Sequence, residues 1–193
     1  MIAPPPTTAP DLTTSLVKSL VLYSLAEFQS GHARTIRVSI SAESFSVADD
    51  GRGHALDRVL SGVSYVRSVY TQLAYPFEAG HQYPVQLQTI GLSLINVLCS
   101  ELSVNIRKRE TTLRLSYRNG DPEIEELITT HSDETGNTIS GTICLQLRST
   151  HDGFSTLLSW LKRVKQSHPD LRLFFNGIET NGPSTEHEST RSF

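Results

Sequence analysis

Two adjacent carboxylates ahead of a glycine turn are the residues of this chain best placed to do chemistry. They lie in Val47-Ala48-Asp49-Asp50-Gly51-Arg52-Gly53. Phe45 and Val47 alternate with polar neighbours, as a half-buried strand does, so the stretch reads as a strand end running into a turn. Gly51 and Gly53 carry no Cβ, which lets the backbone bend sharply and approach a ligand closely. A carboxylate fixed at such a turn can accept a hydrogen bond from an amine on a bound ring. Taken alone, Asp-Asp-Gly reads first as an ordinary acidic turn. The sequence on either side decides between the two.

The composition narrows the classes. A chain of 193 residues with 37% hydrophobic and 19% charged residues suits one globular domain with a full core. A net charge of -3 without blocks of like charge argues against direct binding to a nucleic-acid backbone. The local basic stretch of Arg107, Lys108, Arg109, Arg114 and Arg118 reads as a solvated strand face, with direct DNA contact as the alternative. Cys99 and Cys144 sit in apolar runs, which fits buried thiols in a reducing cytoplasm. Seven scattered histidines lack metal-ligand spacing, so no zinc site is expected. Neither a membrane-spanning run nor a signal peptide is read.

Positioning elements follow from periodicity. Residues 1 to about 11 read as a mobile arm, because Pro4-Pro5-Pro6 excludes a helix. Leu12, Leu16, Val17, Leu20, Val21, Ser24 and Phe28 recur at helical spacing, with Asp11 or Thr13 as N-cap and Gly31 as the stop. Ile36-Val38-Ile40 and Phe45-Val47 read as strands. A helix is expected within 62–73, a long loop over 74–86, and a second long helix over 87–99 with Ile90, Leu94, Ile95 and Leu98 on one face. Leu102-Val104-Ile106 and Leu113-Leu115-Tyr117 read as a hairpin, with a turn at Asn119-Gly120-Asp121-Pro122. A strand over 124–130, a polar loop over 131–138 and a strand through Ile139, Ile143, Leu145 and Leu147 follow. A third helix runs from Phe154 to near His168, and Leu171-Leu173-Phe175 forms the last strand. From Gly177 onward the chain reads as a disordered tail, leaving 12–176 as the folded domain. The order implies an α+β two-layer sandwich, a mostly antiparallel mixed sheet with helices on one face.

This order of motifs resembles the nucleotide-binding domain of the type IIA topoisomerases, gyrase B and its topoisomerase IV counterpart, within the GHKL-type ATPase superfamily. The likeness runs from about Val17 to Phe175. It rests on Gly31-His32 before the first strand, the Asp49–Gly53 turn, Ile90-Gly91-Leu92-Ser93 through Asn96, and Ser140-Gly141-Thr142. The resemblance implies that Asp49 accepts a hydrogen bond from an adenine amine, and that Thr142, Gly51 and Gly91 are further nucleotide contacts. It also implies a structural ion pair between Arg52 and Glu27. ATP or ADP is the implied cofactor.

The departures fall on the chemistry. The family's water-activating Glu and magnesium-holding Asn match Ser19 and Tyr23 here. A serine hydroxyl is too weak a base near neutral pH, and losing a positioned base costs about 10²–10⁴ in rate. A phenol is a poor ligand for a hard cation, so neither a catalytic residue nor a magnesium site is expected. The lid segment reads Tyr75-Pro76-Phe77 and Val85-Gln86-Leu87-Gln88-Thr89, and Gly91 alone survives from its second glycine cluster. His54-Ala55 follows Gly53 where the family has Ile-Pro. The family's second domain and DNA-cleaving parts are not read in this chain. The resemblance therefore implies a degenerate, non-hydrolysing regulatory or interaction module. A genuine ATP/ADP-binding protein with weak ATPase activity is the alternative. A type IIA topoisomerase subunit or a second copy is the implied partner, with no direct nucleic-acid or membrane contact.

Overall fold

The computed structural model describes residues 12–60, 62–72, 90–144 and 152–181. The expected arm at 1–11, nearly all of the lid stretch and the tail beyond 181 lie outside the described residues. So do Asp11, Leu145 and Leu147.

Helix α1 (Leu12–Gln29) is followed by strands β1 (Thr35–Ile40) and β2 (Ser44–Asp49), a short hairpin of β3 (Val59–Leu60) and β4 (Val63–Ser64), and helix α2 (Tyr65–Thr71). Helix α3 (Leu92–Leu98) leads into the long strands β5 (Cys99–Lys108), β6 (Thr111–Arg118), β7 (Asp121–Thr129) and β8 (Gly136–Ile143). Helix α4 (Asp152–Ser167) and strands β9 (Arg172–Phe175) and β10 (Ile178–Glu179) complete the fold. Eight strands form one sheet in the order β10-β9-β1-β2-β8-β5-β6-β7. Only β1 and β9 run parallel within it. This is the expected α+β arrangement.

The core lies between that sheet and the helices. Leu16, Val17, Leu20 and Val21 of α1 pack with Ile36, Val38, Val47, Val104, Ile106, Leu157 and Leu161. Each such side chain contributes about 1.5–3 kcal/mol on burial. α1 ends where the sequence says it should. Gly31 takes φ +78, and the Gly31 and His32 amides close back onto Phe28 O and Glu27 O.

Several expectations need correction. Thr13 does not cap α1: it lies within the helix and is buried. The helix expected over 87–99 begins only at Leu92, with Gly91 as its N-cap residue. Its buried face is Leu92, Ser93, Ile95 and Asn96, and Leu94 is 42% exposed. Asn96 explains the choice of face, because its Nδ2 donates to Tyr70 O and Gly120 O and turns that side inward. The polar loop after β7 ends at 135, since 136–138 already pair with β2 and β5. The chain also stays ordered past Gly177. Asn176 (φ +47) and Gly177 (φ +81) make a tight left-handed turn into β10, and Thr180 is buried with its hydroxyl on Leu173 O at 2.8 Å.

Candidate functional site

The last residue of β2, Asp49, is 4% exposed. Its position follows from strand alternation: Phe45, Val47 and Asp49 all face the helices. Three donors hold the carboxylate. Ser24 Oγ, on α1, donates to Oδ2 at 2.9 Å, and the amides of Gly51 and Asn137 donate to Oδ1 at 3.0 and 3.3 Å. Burial pushes the Asp49 pKa up, and the hydrogen bonds offset part of that rise. A carboxylate offers about four acceptor sites, so Oδ2 keeps one for a further donor.

That remaining site belongs to a cleft of about 240 Å³ between α1 and the ends of β2 and β8. The volume falls just below the ~300–1,000 Å³ of drug-sized sites, which suits a single ring system. Leu20, Val47, Leu92 and Ile139 give it apolar walls, while Tyr23, Glu27, Arg52, His54, Lys108 and Asn137 supply polar groups.

The turn after Asp49 is pinned from several sides. Asp50 Oδ1 accepts from the Arg34 and Thr35 amides at 2.7 and 2.8 Å. Arg52 and Glu27 form the expected pair, with Nη2 to Oε1 at 2.9 Å and Nε to Oε2 at 3.2 Å. Glu27 Oε2 also accepts from the Arg52 amide at 3.3 Å. Lys108 Nζ donates to Arg52 O at 2.6 Å and Gly53 O at 3.2 Å. Burial and the neighbouring Arg52 charge hold the Lys108 pKa below its ordinary value, against the pull of Glu27. Arg107 reaches Thr138 Oγ1 at 2.7 Å and Asp49 O at 3.4 Å. Two members of the basic stretch therefore serve the turn, and Arg118 is held between Glu101 and Glu123.

Gly51 sits against this cluster: a Cβ there would lie 3.0 Å from Asp49 Oδ1 and 3.2 Å from Glu27 Cβ. Gly91 precedes Leu92 as the N-cap residue of α3, and among the described residues nothing would lie within 4 Å of a Cβ there. Thr142 is not brought to the site. It pairs with Ser44 at the opposite end of β2, on the sheet face away from the helices. There it borders a separate trough of about 550 Å³ whose charged groups, Glu101, Arg118 and Glu123, are tied to one another. The residue beside Asp49 on β8 is Asn137, five positions earlier. The Thr135-Gly136-Asn137 segment is the signal that could have found it, since Gly136 has φ +122 and passes directly under the Asp49 carbonyl.

Ser19 is 2% exposed and fully engaged. Its hydroxyl donates to Ser15 O at 2.9 Å and accepts from the Ile90 amide at 2.8 Å, tying α1 to the approach to α3. Tyr23, one turn on, forms part of the cleft wall. Among the described residues, no three His, Cys, Asp or Glu side chains gather as a metal site. No described helix is long and apolar enough to cross a membrane.

No protein-family model matches the chain. The DNA gyrase B protein of Streptococcus pyogenes is 32% identical over 179 residues, covering 89% of this chain and 28% of that protein. The DNA gyrase B protein of Haloferax volcanii is 25% identical over 186 residues, covering 88% of this chain and 28% of that protein. The DNA topoisomerase 4 B protein of Pseudomonas aeruginosa is 27% identical over 135 residues, covering 64% and 21%. The ATP-binding domain of Francisella tularensis topoisomerase IV, solved with a small-molecule inhibitor, has a TM-score of 0.70 at 20% identity and covers 83% of this chain and 79% of that one.

The chain is a gyrase B-like domain of the GHKL type. It spans less than a third of the length of the curated relatives it matches. Within this GHKL-type domain, Asp49, Gly51, Glu27 and Arg52 converge on one corner, Gly91 precedes the cleft residue Leu92 and Thr142 stands apart. Ser24, Lys108 and Asn137 also belong to that corner, although the sequence reading assigns none of them to it, and His54, which stands where the family's pocket-bordering Ile is, lines the cleft as well.

Proposed function

We propose that this gyrase B-like domain binds an adenine ring in the Asp49 cleft without hydrolysing a phosphate, and acts as a regulatory or interaction module. The observation that carries this reading is the commitment of Ser19. Its hydroxyl is spent on Ser15 O and the Ile90 amide, while a buried carboxylate still stands at the floor of the cleft. The acceptor for a base amine is retained, and the helical position of a general base holds a structural tie.

Glu27 is the other carboxylate on this side of the cleft. Both of its oxygens accept from Arg52, so it is a poor substitute base. Tyr23 offers a phenol where a hard cation wants a carbonyl or carboxylate oxygen, and the donor set does not suit magnesium. The competing reading is a weak ATPase with relocated catalytic groups. Adenosine, ADP and ATP titrated into the whole chain, with phosphate release followed in parallel, separate the two. Saturable binding without release supports the proposal. Release that disappears in Asp49→Ala establishes the ATPase reading, and no binding by any of the three removes both.

The partner is part of the same proposal and rests on sequence kinship alone. A type IIA topoisomerase subunit or a second copy of this chain is the candidate. Co-purification and altered supercoiling activity support it, and a monomer that leaves gyrase and topoisomerase IV untouched contradicts it.

A further inference from the structure

We propose that strand β7 is a docking edge for an extended basic segment of a partner protein, which adds to the eight-stranded sheet as a further strand. The site is separate from the Asp49 cleft and does not depend on the base-binding reading.

The two edges of the sheet are built differently. At one edge stands β10, two residues long, and a strand that short offers little backbone to an incoming chain. At the other stands β7, nine residues long. Among the described residues β7 pairs only with β6, so the N–H and C=O groups of its other flank face no strand. Pro122 and the register shift beside Tyr117 blunt only its first residues. From Ile124 to Thr129 the pairing with β6 runs without interruption. Every residue of β7 except Ile128 is exposed, and Ile124 and Leu127 are 53% and 63% exposed. A long regular edge carrying exposed apolar side chains is one that folded proteins ordinarily cover or charge.

The side chains say what suits it. β7 carries Asp121, Glu123, Glu125 and Glu126 and no basic residue. Arg118 closes on Glu123 at 2.7 Å. In the regular stretch, Arg67 stands 3.7 Å from Glu125, and Arg114 lies across the ladder from Glu126, both on the side of the strand already paired. Directly opposed residues share a face of the sheet. Glu125 and Leu127 therefore lie on the side of the buried Leu115 and Leu113, and Ile124, Glu126 and Ile128 lie on the other. A second copy fits poorly. Two β7 strands overlapping antiparallel over Ile124–Ile128 set Glu126 against its own counterpart, and like charges directly opposed are destabilising. A strand with two adjacent cations flanked by apolar residues answers both faces. It places one cation opposite each carboxylate and apolar groups opposite Ile124, Leu127 and Ile128. Main-chain hydrogen bonds then give affinity, and the alternating side chains give selectivity.

The probe is a fluorescently labelled peptide, Thr-Val-Leu-Lys-Lys-Val-Thr with blocked ends, titrated into the whole chain and followed by anisotropy. Antiparallel to β7, it sets its lysines opposite Glu126 and Glu125. Saturable binding is expected, about tenfold or more tighter than that of the same peptide with glutamates in place of the lysines. Glu125→Lys combined with Glu126→Lys is expected to reverse that preference. Glu125→Gln combined with Glu126→Gln is expected to erase it, and adds no repulsion beside Arg67 and Arg114 should the lysine variant fold poorly. Two further peptides, N-methylated at odd or at even positions, separate strand addition from loose attraction. One of the two is expected to lose binding, because its methyl groups fall on the pairing amides. No saturable binding by the lysine peptide, equal binding of both charge forms, or full binding by both methylated peptides overturns the proposal. So does sedimentation of the chain as a dimer that the peptide does not displace, which makes a second copy the occupant.

Discussion

The backbone amide of Asn137 donates to Asp49 Oδ1 at 3.3 Å, so the carboxylate of β2 is held in place by its neighbour on β8. With Ser24 below and the Gly51 amide ahead, the position of Asp49 is set by three elements that are far apart in sequence. The cost is a buried charge.

That cost has a pH signature. Burial raises the folded pKa of Asp49 above its ordinary 3.8. The folded protein therefore holds the proton more tightly than the unfolded chain does. The stabilisation this gives is complete below the unfolded value and disappears as pH rises through the folded one. At neutral pH the ionised group is a burden, and Asp49→Asn removes it while keeping an acceptor for the Gly51 and Asn137 amides. The variant should melt about 2–4 °C higher at pH 7, the reach of ~1 kcal/mol in a chain of this size, with the gain shrinking towards pH 4. Adenosine binding should vanish in the same variant. Asp50 behaves oppositely. Burial raises its pKa, but the Arg34 and Thr35 amides outweigh that and leave it lowered. Its stabilisation is present above the unfolded value and is lost as pH falls through the folded one. Asp50→Asn should therefore melt lower at pH 7, with the deficit fading in acid. Melting curves of the three proteins between pH 3 and pH 7 check both signs.

Ser19 should behave as a structural residue. Ser19→Ala leaves the Ile90 amide without its acceptor, and the expected cost is about 1–3 kcal/mol of unfolding free energy. Ser19→Glu should cost more, because a carboxylate would enter a position only 2% exposed. Denaturant titration gives the free energies. Phosphate release from ATP, measured on the same samples, should stay at background in all three proteins.

Gly136 should tolerate no side chain. A Cβ there would fall 2.0 Å from Asp49 O, and its φ of +122 is rarely open to other residues. Gly136→Ala should destabilise the domain by more than about 2 kcal/mol and displace the Asp49 turn. Chemical denaturation reports the first effect, and loss of adenosine binding under folded conditions reports the second.

Much of this corner is legible in the sequence because local rules agree. The alternation of Phe45 and Val47 places Asp49 on the buried face, and Gly31 marks the end of α1. The Arg52–Glu27 pair follows from family likeness and forms as expected. The main failure is one of register. The Ser-Gly-Thr triplet points to Thr142, but β8 begins at Gly136, and five residues along a strand move a side chain to the other end and the other face. The Asn-Gly pair at 119–120 reads as a turn, whereas its twin at 176–177 is hidden by the polar stretch beyond it, which looks like a tail. Lys108 looks like part of a solvated basic face, and only tertiary structure brings its ammonium group onto the Arg52 and Gly53 carbonyls, some 55 residues earlier in the chain.

An adenine group held in the Asp49 cleft without hydrolysis has one calorimetric signature. Calorimetric titration of the whole chain with magnesium-ATP tests for it most directly, because binding heat and turnover heat appear in the same trace. The expected result is a saturable heat that is lost in Asp49→Asn, followed by a baseline with no continuing heat. A steady heat of turnover that depends on Asp49, or the absence of any saturable heat, would contradict it.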